Sequence, residues 1–214
     1  MPKIISPSEF VELLRPGLKV FIQGCTAEPP TLLEALADAP QQSAGVEYIG
    51  VPLPGYNRFD PAALHPDARM TTFFMTPQLR RSPAADRIRY IPLHYSGIYR
   101  YLRSMPDLDM MLVQAAAGDK DGLCSFGLTS EHAPGALESA RTVVVEMNAA
   151  VPFTHCEPAL PLSRIDYIVE TNRPPAQFPS PQIEPQAQAV GRHAASIIRD
   201  GDVLQIGIGR LQSA

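Results

Sequence analysis

Two stretches place glycine where backbone could meet a ligand. Near the end, DGDVLQIGIGRLQSA reads as a strand, a turn and a helix start. Val203–Ile206 is the predicted apolar strand, and Gly207-Ile208-Gly209 a turn with little Cβ obstruction. Arg210 and Leu211 open a helix whose free N–H groups point outward. Two glycines alone describe an ordinary strand-to-helix turn. The second stretch, Gly24, Thr26, Ala27, Glu28 and Pro29, follows the predicted strand LKVFIQG. It lies at the strand end where open α/β sheets gather ligands. The same residues also read as a capped helix start, with Thr26 as cap and Glu28 complementing the helix dipole.

The titratable candidates are fewer. His94 and Tyr95 stand at the end of a predicted strand, where a ligand could reach them. His155 and Cys156 are adjacent and could form a Cys/His nucleophile pair, with Cys25 a third thiol. Neighbours in a strand face opposite ways, so a loop with a buried thiol is the better reading. Asp119, Asp121 and Gly122 have the look of a calcium loop but not its further oxygen ligands, and read as a tight turn. His65, His132 and His193 read as solvent or helix-face residues. No metal-ligand spacing is present, so no metal is expected.

The elements that would position these residues alternate. Helices are predicted in SPSEFVELL, PPTLLEALADA, SGIYRYLRSM, SEHAPGALESA and Pro185–Arg199; the first is capped by Ser6 or Ser8. Strands are predicted in LKVFIQG, VEYIGVPL, MTTFFM, IRYIPL, LDMMLVQAA, RTVVVEMN and IDYIVET, several apolar throughout. Such alternation predicts an α/β protein with an open, mainly parallel sheet flanked by helices. Five prolines between Pro174 and Pro185 mark a stiff linker. The expected division is therefore 1–178, one α/β domain, and 179–214, the linker, a helix and the first strand of an incomplete second domain.

Composition excludes some classes. The chain has 214 residues, 45% hydrophobic and 19% charged, as an ordinary globular protein does. A formal charge of −4 gives no basic face for nucleic acid. No apolar run approaches the ~20 residues of a membrane helix. MPKIISPSEFVELL is not a secretory signal, and three cysteines without paired spacing suit reduced thiols. A cytoplasmic location is expected.

In order along the chain, YIPLHYSGI, LDMMLVQAAAGDKDGLCSFGLTSE, ARTVVVEMNAAVPFTH, IDYIVETNRP and DGDVLQIGIGRLQSA resemble the acetyl-CoA hydrolase/transferase family, which includes 4-hydroxybutyrate CoA-transferases. GCTAEPPTLLEAL resembles its first glycine-containing strand–helix turn, so the likeness covers nearly the whole chain. Two stretches depart from the family pattern. AAAG stands where a serine-proline-like segment is usual, and His155-Cys156 stands near a usual glycine.

The resemblance implies two domains of the CoA-transferase type (a NagB/RpiA-type sheet) with the active site between them. It implies coenzyme A and acyl-CoA as substrates with a small carboxylic acid, no permanently bound cofactor, and a homodimer as the common assembly. Gly207, Ile208, Gly209, Arg210 and Leu211 match its coenzyme A-binding turn. Its nucleophilic glutamate belongs to the second domain, beyond Ala214. No catalytic residue is therefore assigned within this chain, and Glu28, Glu131, Glu146 and Glu157 occupy other positions. The expected function is the N-terminal part of a CoA-transferase or acyl-CoA hydrolase. Its rivals are a non-catalytic half that binds acyl-CoA or a partner and, more distantly, a sugar-phosphate isomerase on a similar sheet.

Overall fold

The computed structural model of the chain describes residues 1–118, 122–155, 157–177 and 183–207. It divides into two compact units, Met1–Ala176 and Gln177–Ala214.

The first unit is built on eight parallel strands in the order β1-β10-β8-β6-β2-β3-β4-β5. These are β1 (Lys3–Ile4), β2 (Lys19–Ile22), β3 (Glu47–Gly50), β4 (Arg69–Thr72), β5 (Ile88–Tyr90), β6 (Met110–Ala115), β8 (Thr142–Asn148) and β10 (Tyr167–Thr171). A separate two-stranded antiparallel ribbon joins β7 (Leu123–Cys124) to β9 (Leu160–Pro161). The sequence pattern anticipates seven of the main strands; β1 and the ribbon, at two residues per strand, are too short for a period to show.

All six residues of β6 are buried, because a central parallel strand is covered on both faces. Alternate residues separate into two cores. Phe21, Met111, Val113, Val143 and Val145 pack toward α4 (Tyr95–Arg103) and α5 (Ala133–Ser139). Val20, Ile22, Met110, Leu112 and Val144 pack toward α1 (Pro7–Val11) and α2 (Pro30–Asp38). The small helix α3 (Pro77–Arg80) is capped by Thr76, whose Oγ1 accepts from Leu79 N at 3.1 Å.

Ser6 starts α1 through a full capping box with Glu9. The start of α2 differs from expectation. Thr26 does not cap it: Cys25–Ala27 form a 3₁₀ turn, and α2 begins at Pro30 with no local side-chain cap. The cap comes from β8. Glu146, 0% exposed, accepts from Thr31 N at 2.7 Å, Thr31 Oγ1 at 2.8 Å and Leu32 N at 3.4 Å.

The strand order contains one reversal. From β2 the chain runs outward through β3, β4 and β5, then returns to place β6 on the other side of β2 and continues through β8 and β10. The order reverses between β2 and β6, and open α/β sheets bind ligands beyond the carboxyl ends of such strands.

The second unit contains α6 (Pro185–Ile197), close to the predicted helix. Val203–Ile206, expected as a strand, carries no regular structure. Apolar residues make a strand only where a neighbour takes their backbone hydrogen bonds, and the described residues of this unit hold no other strand.

Candidate active-site crevice

At the switch point the chain leaves β2 through Gln23, Gly24 and Cys25. Gly24 is required by close approach: a Cβ there would lie 2.3 Å from the carbonyl oxygen of Val51. The buried Asn57 carboxamide fixes the turn. Its Oδ1 accepts from Cys25 N at 2.9 Å and Leu53 N at 2.8 Å, and its Nδ2 donates to Cys25 O at 3.1 Å. Held this way, Cys25 has φ +53°.

Facing it is Glu131, with φ +36°; among the described residues these are the two non-glycine positions of positive φ. Their side chains meet, Cys25 Sγ donating to Glu131 Oε1 at 3.0 Å. The other oxygen, Oε2, accepts from Gln23 Nε2 at 3.4 Å, and the Tyr95 phenol is also hydrogen-bonded to this carboxylate. Burial, then the Glu131 carboxylate, pushes the Cys25 thiol up to about 12. The Tyr95 phenol is raised for the same two reasons in the same order. Left-handed backbone at bulky residues is costly and persists where surrounding bonds over-determine it.

His132, next to Glu131, is 2% exposed and not a helix-face residue. Its ring lies against Tyr95, centroids 4.4 Å apart, and neither ring nitrogen has a hydrogen-bond partner among the described residues. Burial lowers its pKa despite the opposing Glu131 charge.

Across the crevice Thr26 Oγ1 donates to Thr129 Oγ1 at 2.8 Å. The Thr26 carbonyl accepts from Gln114 Nε2 at 3.0 Å, and Gln114 Oε1 accepts from Asn148 Nδ2 at 2.8 Å. The turn after β2 is thus tied through its backbone to polar side chains near the ends of β6 and β8 in one layer. Beside it, Gln23, Gly24 and Glu28 line a cavity of about 20 Å³, room for one water. Burial pushes the Glu28 carboxyl up to about 7, against a hydrogen bond from Asn57 that lowers it.

Of the expected site residues, the structure gathers Gly24, Thr26, Ala27, Glu28 and Pro29 at this edge, where Ala27 and Pro29 are buried. His94 is not brought to the cluster. Its side chain is exposed at the start of α4, where its carbonyl accepts from Gly97 and Ile98; the neighbouring Tyr95 reaches Glu131 instead. Cys25 pairs with Glu131 rather than a histidine, and His155 packs its ring on Phe153 at 5.3 Å. Gly207 is exposed and outside regular structure; Ile208, Gly209, Arg210, Leu211, Asp119, Asp121 and Cys156 lie outside the described residues. Among the described residues no group of three or more His, Cys, Asp or Glu could hold a metal ion. Gln23, Asn57, Gln114, Glu131, His132 and Asn148 escape the sequence reading; the only trace in the sequence is polar amides closing otherwise apolar strands.

The profile of the acetyl-CoA hydrolase/transferase N-terminal domain matches residues 1–179. The chain belongs to the acetyl-CoA hydrolase/transferase family. Curated relatives include 4-hydroxybutyrate coenzyme A transferase of Clostridium kluyveri, 28% identical over 99% of this chain and 50% of that protein. Succinyl-CoA:cyclohexane-1-carboxylate CoA transferase of Geobacter metallireducens is 25% identical over 99% and 48%. The chain spans about half the length of these relatives. RipA from Yersinia pestis shares the fold with a TM-score of 0.84 at 24% identity, over 98% of this chain and 51% of that one. For 4-hydroxybutyrate CoA-transferase from Porphyromonas gingivalis the TM-score is 0.71 at 24% identity, over 98% and 49%. The decarboxylase AibA/AibB matches with a TM-score of 0.54 at 16% identity, over 91% of this chain and 94% of that one. No helix among the described residues of this family member is long and apolar enough to cross a membrane.

Proposed function

We propose that this chain forms one wall of a cleft in which coenzyme A passes between carboxylic acids. A glutamate carboxylate of a second domain attacks the acyl-CoA carbonyl carbon, the C–S bond breaks, and an acyl-glutamyl anhydride forms with release of CoA thiolate. The thiolate attacks the glutamyl carbonyl, expelling the first carboxylate and leaving a glutamyl-CoA thioester. A second carboxylate reverses both steps, so the glutamate is regenerated and a new acyl-CoA leaves. Covalent catalysis suits this exchange, since it divides a poor displacement into easier ones.

The observation that carries the reading is the tied polar layer at the β2–β6 switch point, in a member of a family whose relatives are named CoA transferases. Gly24 lets the β2 turn close against the Val51 carbonyl, and on this reading Thr26 and Glu28 belong to the substrate cleft. Gly207, Ile208, Gly209, Arg210 and Leu211 contact coenzyme A. The test is mass spectrometry of the reading frame extended through a second domain, incubated with acyl-CoA alone. The protein gains the mass of coenzyme A less one water, on a glutamate outside residues 1–214. Label on a glutamate within 1–214 would overturn the division of roles.

One observation favours a second reading, a separately encoded half: the AibA/AibB chain is matched over 94% of its own length. A stop codon directly after Ala214, with the second half encoded beside it, supports that reading; a frame running on excludes it.

A further inference from the structure

We propose that Glu131 is a positioning residue that holds Cys25 as a neutral thiol, so that the crevice carries a hydrogen-bond donor there and not an acyl acceptor. The acyl consequence rests on the thioester reading above; the thiol assignment does not.

The geometry is specific. Asn57 binds both the N–H and the C=O of Cys25, which leaves the backbone no freedom to swing the sulfur away. The sulfur then points at a carboxylate 3.0 Å distant, itself set by left-handed backbone at residue 131. Gln23 and Tyr95 supply further donors to that carboxylate and hold it in place. A thiolate at Cys25 would stand against this charge and could no longer donate to it; the Thr26 backbone N–H, which favours the thiolate, is outweighed by burial and Glu131. The remaining titratable groups that act on Cys25 and Glu131 do not reverse this. Glu28 adds negative charge when ionised, Tyr56 and Tyr95 are phenols whose pKa values are raised, and burial lowers the pKa of His132.

The consequence matters where thioesters are handled. A reactive Cys25 would exchange with the substrate: its sulfur attacks the acyl carbon, the C–S bond to coenzyme A breaks, and the Cys25 proton ends on the leaving CoA thiol. The product, an S-acyl cysteine, is a thioester of similar energy and would strand the acyl group on the wall of the cleft. The thiolate is the nucleophile in such exchange, so keeping the proton on sulfur suppresses it.

The experiment uses the 214-residue chain with wild-type Glu131, Glu131→Gln and Glu131→Asp, treated with iodoacetamide from pH 6 to 11. Cys25 labelling is read by peptide mass, with the buried Cys124 as internal control. In Glu131→Gln the Cys25 rate at pH 8 rises roughly tenfold or more and its profile bends toward a plateau by pH 11, the midpoint having fallen by about one pH unit or more, while the wild type and Glu131→Asp are still climbing at pH 11. A merely loosened turn raises the rate at every pH and leaves the midpoint in place, which overturns the proposal. Should Glu131→Gln not fold, Glu131→Gly removes the carboxylate while relieving φ +36°, and the same shift is expected. A second arm replaces iodoacetamide with acetyl-CoA: acetyl appears on Cys25 of Glu131→Gln and not of the wild type. A shifted midpoint without acetyl transfer keeps the thiol assignment and overturns the thioester consequence.

Discussion

The carboxylate of Glu146, in the interior of the sheet, caps helix α2 by accepting the backbone N–H of Thr31 at 2.7 Å, across 115 residues of sequence. Pro29 and Pro30 begin that helix without a local cap, and the buried acid meets donors that would otherwise be orphaned. Burial raises its pKa, and the hydrogen bonds of Thr31, Leu32 and Thr171 oppose the rise. Glu146→Ala leaves two N–H groups and a hole in the α2-side core. It lowers stability by about 2–4 kcal/mol, whereas Glu146→Gln, which keeps one acceptor, lowers it by about 1–2 kcal/mol. Urea unfolding midpoints of the three chains check the order.

Gly24 allows the β2 turn to pass under the Val51 carbonyl, and an added methyl would sit 2.3 Å from that oxygen. Backbone on both sides must shift, so Gly24→Ala destabilises by about 1–3 kcal/mol. Gly55 has nothing within 4 Å of its own added Cβ but lies at φ +79°, so Gly55→Ala costs only the conformational term, about 1 kcal/mol. Thermal melts of both variants separate crowding from conformation.

Glu28 gives the fold a pH dependence of definite sign. Its pKa rises from 4.5 to about 7 on folding, so the folded chain binds this proton more tightly than the unfolded one. Its contribution is fully present below 4.5, falls as pH rises to about 7, and is flat above. Glu28→Gln removes that slope and stabilises the chain at pH 8 by on the order of 2–3 kcal/mol, with little effect at pH 4. Paired unfolding curves at pH 4, 6 and 8 measure it; a variant that stays parallel to the wild type throughout contradicts the assignment.

The sheet was largely legible because β6 and β8 are runs of Met, Leu and Val that only a doubly covered strand explains. What escaped was set by contacts distant in sequence. Thr26 has the local look of a cap, but the true cap is Glu146, which no window around Thr26 contains. His132 reads as a surface residue until Tyr95 closes over it. Val203–Ile206 has a strand's composition but, among the described residues of its unit, no neighbouring strand to make it one. The crevice itself was half visible: Gly24 to Pro29 stand at a recognisable strand end, but Asn57 and Glu131, which fix that turn, come from loops whose approach only the fold supplies.

On the proposed function, these residues supply a wall of the cleft and not its nucleophile. The most direct measurement is the exchange of isotopically labelled acetate into acetyl-CoA, by the 214-residue chain and by the same chain joined to a second domain. Exchange by the joined protein alone is the predicted result; exchange by the 214 residues by themselves would contradict it.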